Sequence, residues 1–385
     1  MPEDTQLIIE QGTNVIFTRF CKIDVHGSIK AIGTFENPIT FRSSSPELFS
    51  FDDSEAGSWN GIVFENTICE NDTSKFQYCI FQNSKSVDDF DLFESSGGVF
   101  RIKGYSDIVI ENSIFTRNFG FRGSAIGCYY GASPTIVSCL FFDNEAVYDG
   151  GAIANTYSFP RLYHNTFYNN RVQNDDPFVD TAVITNFKSK PVVYCNIVSD
   201  DETDSFKFVK PYYTIGNISN NYEGGNFNLI ADPQFIDPAS NNFLIEETSP
   251  AVDKFDIRTL GLFLPEKDLA GNQRIYGKCA DSGAFENLDI VKIDDNSVKY
   301  NGLLTYPNPF NPETNINFNL DKSSNAKLAI YNVRGELVKL IFEGYLSKGI
   351  HQFIWKPQNN ISSGVFFSIL EIEGEKKITK MVYNK

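Results

Sequence analysis

Residues 110–118 read IENSIFTRN, and the same pattern returns as IVSCLFFDN at residues 136–144 and as LYHNTFYNN at residues 162–170. Both steps are 26 residues long, and the three copies align without a gap. Each copy has an apolar first residue, a phenylalanine at the sixth place and an asparagine at the ninth. Repetition at a fixed period of this length is typical of a solenoid, in which each repeat packs against its neighbours.

A second repeated pattern lies between these copies, where small residues precede apolar ones. Its four members are Gly97-Gly-Val-Phe100, Gly123-Ser-Ala-Ile126, Gly150-Gly-Ala-Ile153 and Asp180-Thr-Ala-Val183. Each period therefore holds at least two short strands, which cannot bury an apolar face alone but form a continuous core when copies stack about 4.8 Å apart. The sequence thus predicts a coil of parallel strands, a parallel β-helix. Helical repeats are not expected, because no 3.6-residue periodicity is present.

Stacking turns every repeated position into a vertical ladder. We expect a buried aromatic stack and an amide ladder at a turn, formed by Phe115, Phe141 and Phe167 and by Asn118, Asn144 and Asn170. Looser copies at residues 76–83 and 192–200 place three small buried side chains in one further column, namely Cys79, Cys139 and Cys195. The chain has seven cysteines and no Cys-x-x-Cys pair, so neither a zinc site nor a disulfide framework is predicted.

The composition excludes several classes of protein. The chain has 385 residues, a net charge of −16 and 41% hydrophobic residues, which is too hydrophobic for a disordered chain. An acidic balance of this size argues against a nucleic-acid-binding surface, so no nucleic acid partner is expected. No apolar run reaches the length of about 18 residues that a membrane-spanning helix needs, so no transmembrane segment is predicted. We expect a monomer.

The repeated columns resemble those of the right-handed parallel β-helices in the pectin-lyase-like superfamily, which includes polymorphic outer-membrane proteins. Residues 7–66 are similar to the opening coils of bacterial surface β-helix proteins, and residues 231–286 are similar to their closing segment. The resemblance implies an all-β fold with a right-handed parallel β-helix over residues 1–287, of which 231–287 form the closing segment. Chains of this family normally begin with a signal peptide. The stretch MPEDTQLIIE at residues 1–10 does not read as one, so we expect the natural start to lie upstream.

The character of the sequence changes after residue 287. Residues 288–302 are polar and irregular and are predicted to be a linker, and the alternation beyond them predicts a small sandwich of short strands. YPNPFNPETNINFNL at residues 306–320 and the basic end KKITKMVYNK at 376–385 closely resemble the C-terminal sorting domain of the type IX secretion system. The resemblance implies an Ig-like domain over residues 303–385 and a partnership with the secretion machinery. It also implies a protein that is exported and attached to the outer surface of the cell.

Clusters of acidic residues follow the repeated turns. The candidates for calcium ligands are Asp175, Asp176, Asp200 and Asp201, because carboxylates on neighbouring loops suit Ca²⁺. A solvated edge is the interpretation we favour, since no EF-hand loop is present. Some members of the superfamily that this chain resembles cleave uronate polysaccharides with calcium and a Lys or Arg base. The residues available for that base are Arg171, Lys188 and Lys190.

Two functions therefore stay open. The chain has only three histidines, so a nucleophile triad is not expected, and His164 aligns with Asn112 and Ser138 as an ordinary polar position in a strand. Nothing distinguishes the candidate bases from surface charges. We favour a non-catalytic surface protein whose long flank binds a polysaccharide or another surface, and the alternative is a calcium-dependent polysaccharide lyase or glycoside hydrolase. No cofactor other than Ca²⁺ is considered. Six aromatic residues in the same connections are predicted to be exposed and suited to stacking on sugar rings: Phe90, Phe93, Tyr129, Tyr130, Tyr148 and Tyr157.

Overall fold

The structure is a computed structural model that divides into two compact units. The N-terminal unit comprises Met1–Asp256 and Leu262–Ile290, and the C-terminal unit comprises Ile257–Gly261 and Val291–Lys385. The structure describes residues 1–65, 73–86, 96–105, 107–173, 182–199, 204–207, 211, 214–216, 228–255, 263–288, 303–306, 310, 312–320, 322–347, 349–358, 361–372, 374–383 and 385.

The N-terminal unit is built of short strands. In chain order they are β1 (Gln6–Glu10), β2 (Asn14–Phe17), β3 (Ile23–Val25), β4 (Ser28–Ile32), β5 (Ile39–Ser43), β6 (Ile62–Glu65), β7 (Ser74–Gln77), β8 (Cys79–Gln82), β9 (Lys85–Ser86), β10 (Phe100–Lys103), β11 (Ile108–Glu111), β12 (Ile114–Thr116), β13 (Phe119–Arg122), β14 (Ile126–Tyr129), β15 (Thr135–Val137), β16 (Leu140–Phe142), β17 (Glu145–Asp149), β18 (Ile153–Thr156), β19 (Arg161–Tyr163), β20 (Thr166–Tyr168), β21 (Arg171–Val172), β22 (Ala182–Phe187), β23 (Val192–Tyr194), β24 (Ile197–Ser199), β25 (Asp204–Lys207), β26 (Ile215–Gly216), β27 (Phe235–Asp237) and β28 (Asn242–Ile245). Short 3-10 helices lie at Pro46–Leu48 and Pro238–Ser240.

Four parallel sheets form the body of this unit. In the described part of the chain, sheet 1 contains β1, β4, β7, β11, β15, β19 and β23, and sheet 2 contains β2, β5, β8, β12, β16, β20, β24 and β26. Sheet 3 contains β3, β6, β10, β14, β18, β22 and β25, and sheet 4 contains β9, β13, β17 and β21. One full coil passes through β11, β12, β13 and β14 before β15 returns to sheet 1 beside β11. This architecture confirms the predicted parallel β-helix.

The predicted repeat length corresponds to one coil. Phe115 pairs directly with Phe141 in parallel strands, and Phe141 pairs with Phe167. The three rings are buried and stack with centroids 4.5 Å and 4.8 Å apart. Residues 26 positions apart are therefore neighbours in space, and their side chains fill the same level of the core in successive coils.

Buried asparagines connect the coils at the turn that follows sheet 2. Asn118 Nδ2 donates to Asn144 Oδ1 at 2.9 Å, and Asn144 Nδ2 donates to Asn170 Oδ1 at 2.9 Å. Asn144 also donates to the Phe115 carbonyl oxygen at 2.9 Å, so each amide satisfies main-chain groups as well as its neighbour. The repeat pattern did not predict two further pairs with the same contact: Asn165 with Asn196 and Asn155 with Asn186.

The chain turns between sheets at residues with positive φ. The corner after sheet 1 is occupied by a vertical set of such residues, with φ between 47° and 54°: Tyr78, Asn112, Ser138, His164 and Cys195. At the turn before sheet 3, Gly150 has φ of 65°, and an added Cβ would lie 2.8 Å from the Ile153 carbonyl oxygen. Only glycine fits that turn without displacing the neighbouring main chain.

One predicted column is wrong by one residue in the last repeat. Thr166 pairs with Ile197, so this coil is 31 residues long. Cys195 is consequently the equivalent of His164, whereas Cys139 lies one place later in its own coil. The predicted column placed residue 192 opposite residue 162, whereas Leu162 pairs with Val193. The strand pattern does not determine the length of the connections, so it does not predict the spacing between these coils.

The closing segment packs on the outer face of sheet 2. Its strands β27 and β28 form an antiparallel pair. Phe243, Leu269 and Ala284 of this segment form one apolar cluster with Leu140, whose neighbour Phe141 points into the core. Burial of this second apolar face explains why β12, β16 and β20 carry large apolar residues on both sides.

The C-terminal unit contains β29 (Leu304–Tyr306), β30 (Thr314–Leu320), β31 (Ser324–Asn332), β32 (Leu337–Leu346), β33 (Gly349–Trp355), β34 (Gly364–Ile372) and β35 (Glu375–Tyr383). One antiparallel sheet has the order β29-β30-β33 and the other has the order β32-β31-β34-β35. Apolar side chains such as Phe318, Leu328 and Trp355 form the core between them. This unit is the predicted small β-sandwich. No helix in the described ranges of either unit has the length and apolar character needed to cross a membrane.

Candidate functional site

One corner of the β-helix presents aromatic rings on successive coils. Tyr130 directly follows β14, Tyr157 directly follows β18, and Phe187 is the last residue of β22. These three strands are consecutive in sheet 3. The hydrogen-bond ladder continues into the corner, because the Tyr157 main-chain N–H donates to the Phe187 carbonyl oxygen at 2.9 Å. We call Tyr130, Tyr157 and Phe187 the aromatic strip.

The aromatic strip is open to solvent along its length. The exposed fractions of Tyr130, Tyr157 and Phe187 are 59%, 41% and 52%. The rings of the two tyrosines are 13° from parallel with centroids 6.1 Å apart, and Phe187 meets Tyr157 edge-on at 5.8 Å. Contact between neighbouring rings orders them. The result is a continuous apolar surface that follows the helix axis.

The backbone at this corner is unfavourable for the residues that occupy it. Tyr130 and Tyr157 have φ of 48° and 49°, and Gly104, with φ of 65°, holds the equivalent place one coil earlier. A bulky residue in the left-handed region costs about 1 kcal/mol or more, which glycine avoids. Two tyrosines therefore occupy a backbone conformation that glycine adopts at lower cost.

A positive charge lies at one end of the aromatic strip. Lys188 occupies the same corner place one coil after Tyr157, with φ of 50°. Its Nζ lies 5.3 Å from the ring centroid of Tyr157 and 5.3 Å from that of Phe187. This distance is within the range of cation–π attraction, so the ammonium group is held beside the rings.

The predicted bases fall at two different places. Lys188 lies at the aromatic strip, and Lys190 is exposed two residues further along. Arg171 belongs to β21 of sheet 4, where it is exposed and its Nε donates to Asn169 Oδ1 at 3.0 Å. Sheet 4 and the corner after sheet 3 are separated by the strands of sheet 3, so Arg171 does not join the two lysines.

The predicted calcium ligands lie outside the described residues: Asp175, Asp176, Asp200 and Asp201. Calcium binding at these residues stays a prediction. Within the described ranges of the chain, no group of three His, Cys, Asp or Glu side chains is close enough to hold a metal ion.

The predicted exposed aromatics behave differently from one another. Tyr129 was predicted to be exposed, and this is wrong: it is 3% exposed and packs against Val63, because it ends β14 one residue before the chain turns outward. Burial raises the pKa of the Tyr129 hydroxyl. Tyr148 is half-buried with its ring stacked on Phe121 at 5.6 Å. Phe90 and Phe93 lie outside the described residues.

A second concentration of titratable groups lies beneath the closing segment. Arg274 Nη1 lies 3.0 Å from Glu286 Oε1, and Nη2 lies 2.7 Å from His164 Nδ1 and 2.8 Å from the Asp281 carbonyl oxygen. All four residues are buried. We call Arg274, Glu286, His164 and Asp281 the buried clamp, since His164 belongs to a coil and the other three belong to the closing segment.

Burial is the largest cause of the pKa shifts in the buried clamp. It lowers the pKa of His164 well below its usual value, and the adjacent Arg274 guanidinium lowers it further. It raises the pKa of Asp281 to about 6, and it raises the pKa of Glu286 well above the usual range although Arg274 opposes that change. Perturbed groups of this kind often mark active sites. Here they are enclosed by protein, so the arrangement is suited to holding the closing segment in place.

Sequence reasoning missed both the clamp and part of the aromatic strip. His164 was predicted to be an ordinary polar position in a strand, and this is wrong because it occupies a buried corner beneath Arg274. No periodic signal marks Arg274 or Glu286. Phe187 was not among the predicted aromatic residues; in the structure it pairs with Thr156 and not with Tyr157.

We expect His164 to make the fold sensitive to acid. Its pKa is lowered in the folded state, so the stability that it contributes is present above its unfolded pKa of about 6.5 and is lost as the pH falls below that value. The variant His164→Asn, which introduces the residue found at the equivalent Asn112, removes this titration. The stability of the natural chain relative to the variant should therefore fall as the pH is lowered from 7 to 5.

Urea unfolding of both proteins at pH 7, 6 and 5 measures this difference. Asp281 works in the opposite direction, because its pKa is raised to about 6 and its contribution is lost as the pH rises through that value. It is present in both proteins and largely cancels in the comparison. A stability difference that stays constant from pH 7 to pH 5 would contradict the prediction.

Comparison with known proteins identifies the C-terminal unit. Residues 304–384 match the family model of the secretion system C-terminal sorting domain. No curated protein matches the chain. The fold and this match define a parallel β-helix protein that is exported to the cell surface. More particularly, the chain carries a type IX sorting domain, and interaction with the type IX secretion machinery follows from it. Membership of the pectin-lyase-like superfamily stays a prediction.

Proposed function

We propose that this exported protein binds a polysaccharide without cleaving it, and that the aromatic strip is the binding surface. One observation carries the proposal: Tyr130 and Tyr157 stand in register on consecutive coils, and Phe187 lies against Tyr157 one place earlier in the next coil, with all three rings ordered and exposed. Exposed rings at a repeated spacing match a ligand that is itself a repeating chain.

The chemistry of sugars suits such a surface. The C–H faces of pyranose rings are apolar and pack against aromatic rings, while their hydroxyl groups stay available to water and to polar side chains. Lys188 supplies hydrogen-bond donors and a positive charge beside the rings. Because the neighbouring rings already contact one another, less conformational entropy is lost when a ligand binds.

The backbone strain at Tyr130 and Tyr157 indicates that the aromatic strip has a role other than stabilising the fold. Two tyrosines adopt the left-handed backbone although Gly104 shows that the corner accepts glycine. Tyr130 and Tyr157 remain 59% and 41% exposed, so burial offsets the strain only in part, and such strain is concentrated at functional sites. A non-catalytic role is favoured because Arg171 lies away from the two lysines of the corner.

Single replacements Tyr130→Ala and Tyr157→Ala should each weaken polysaccharide binding by about tenfold, since each ring contributes about 1–2 kcal/mol of buried contact. Binding of the full chain to a panel of neutral and acidic polysaccharides is measured by affinity electrophoresis and calorimetry. The same samples are monitored for release of unsaturated uronate products with and without calcium.

The matched control is Tyr345→Ala, which removes a tyrosine that is 69% exposed in the C-terminal unit. It should leave polysaccharide binding unchanged. Equal binding by the natural chain and both strip variants would refute the role of the aromatic strip. Calcium-dependent release of unsaturated products would replace the binding function by a lyase.

A further inference from the structure

The outer face of the four-stranded sheet in the C-terminal unit is apolar across all four strands. Leu340, Ala329, Ile369 and Ile378 are direct cross-strand neighbours in β32, β31, β34 and β35. Tyr331 and Phe367 pair with each other two residues away on β31 and β34. We call these six residues the outer apolar face. The opposite side of the same sheet forms the core of the sandwich, so this sheet is apolar on both sides.

A row of paired charges borders this face. Lys327 is the cross-strand neighbour of both Glu343 and Glu371, and Glu371 is the neighbour of Lys376. Lys327 Nζ lies 3.1 Å from Glu343 Oε2, and Lys376 Nζ lies 3.7 Å from Glu371 Oε2. The charges satisfy one another within the row. An apolar centre beside a polar rim is the arrangement typical of a protein–protein interface.

The two edges of this face are exposed to solvent. Leu340 is 41% exposed and Ile378 is 60% exposed, although leucine and isoleucine side chains on a covered sheet would be buried. Between the edges, Tyr331, Phe367 and Ile369 are half-buried, and the small side chain of Ala329 is buried beneath its neighbours. An antiparallel sheet that faces water usually carries polar residues on that side. The apolar rows therefore indicate a surface that is covered by a partner during the life of the protein.

The size of the face limits the kind of partner. Four strands spaced about 4.8 Å apart and two or three residue rows give an area of roughly 250–400 Å². A stable complex buries about 800 Å² on each partner, so this face is too small to hold two copies of the chain together on its own. A transient partner fits better, and a sorting domain has one: it is recognised during export and need not stay bound afterwards.

We propose that the outer apolar face is the surface by which a protein of the type IX secretion apparatus, presenting a complementary apolar patch, recognises this chain. The match to the sorting-domain family implies that the machinery recognises the domain, and the structure assigns the place. This inference does not depend on polysaccharide binding, which concerns the other unit.

Two variants test the face from opposite edges. Ile378→Glu and Leu340→Glu each put a charge on an exposed apolar position, which should block docking while leaving the core intact. The control is Ile354→Glu on β33 of the other sheet, because Ile354 is 59% exposed, almost the same as Ile378. Thermal unfolding of the three purified full-length variants verifies that their folding is comparable.

Each full-length variant is produced in a bacterium that carries the type IX secretion system. Surface labelling and protease treatment of intact cells measure the fraction at the surface, and cell fractionation measures the fraction in the periplasm. Ile378→Glu and Leu340→Glu should each reduce the surface fraction by about tenfold, with accumulation in the periplasm, whereas Ile354→Glu should reach the surface at the natural level.

Three results would overturn the proposal. One is a natural surface level for both face variants. Another is an equal loss in all three variants, which would show that any added charge on the domain impairs export. The third is a dimer of the purified natural chain, by analytical ultracentrifugation, that Ile378→Glu dissociates, because the occupant would then be a second copy.

Discussion

Replacing Arg274 by alanine should lower the free energy of unfolding of the N-terminal unit by about 3–5 kcal/mol, the range expected when one partner of a buried ion pair is removed. Arg274 is the cation of the buried clamp and lies 3.0 Å from Glu286, with both side chains only 1% exposed. Without the guanidinium, Glu286 loses its counter-charge, and the carbonyl oxygens of Asp281 and Gly283 lose their donor.

The two tryptophans allow this loss to be measured in one unit. Trp59 is buried in the N-terminal core and Trp355 in the C-terminal core, so a Trp355→Phe background makes the fluorescence report on the N-terminal unit alone. Urea unfolding of Arg274→Ala is compared in this background with Arg161→Ala, which removes an exposed arginine of β19. The Arg161 variant should change stability by less than about 0.5 kcal/mol.

The role of Glu286 gives the Arg274 prediction a second measurement. Because the pKa of Glu286 is raised by burial, its contribution to stability is lost as the pH rises, and removal of Arg274 strengthens this effect. The loss in Arg274→Ala should therefore be larger at pH 8 than at pH 5. Adding Glu286→Gln should recover part of it. A loss of stability below about 1 kcal/mol at both pH values would contradict the proposed stabilising role of the buried clamp.

Replacing Asn144 by alanine should have an effect of similar size, about 3–5 kcal/mol. Its Nδ2 donates to the Phe115 carbonyl oxygen and to Asn170 Oδ1, and its Oδ1 accepts from both the main chain and the side chain of Asn118. Alanine leaves these groups buried and unsatisfied, at about 1–3 kcal/mol for each. Some relaxation of the turn makes the total smaller than a simple sum.

The Asn144 prediction uses the same fluorescence assay. Asn14→Ala is the control, because Asn14 lies in β2 with its side chain exposed, and its loss should be within about 0.5 kcal/mol. If Asn144→Ala were no more destabilising than Asn14→Ala, the amide ladder would contribute nothing to stability. The coils would then be held together by the strand ladders and the aromatic core alone.

The two predictions concern different kinds of contact. The amide ladder joins equivalent residues of neighbouring coils, so it belongs to the repeat itself and its residues are visible as a column at intervals of 26. The buried clamp joins His164 of the coil to residues more than 100 positions later in the chain. Loss of the ladder should weaken the stack from within, whereas loss of the clamp should release the closing segment from sheet 2.

The sequence by itself determined the features that repeat and the tail that carries a family motif. A residue and its equivalent one coil later are direct neighbours, so selection for stacking leaves the same residue type at a fixed spacing, as with Phe115 and Phe141. The terminal motif predicted the sorting domain, and residues 304–384 match the family model of that domain.

Only the tertiary structure decided which aromatic residues face the solvent and what the aperiodic residues do. Tyr129 and Tyr130 are adjacent in sequence, yet one is buried at a strand end and the other is exposed at a left-handed corner, because the direction of a side chain depends on the backbone turn and not on residue type. The contacts of Arg274 could likewise not be predicted from the sequence. Its partners are set by how the closing segment docks, and long-range contacts between unrepeated residues leave no spacing in the sequence to be read.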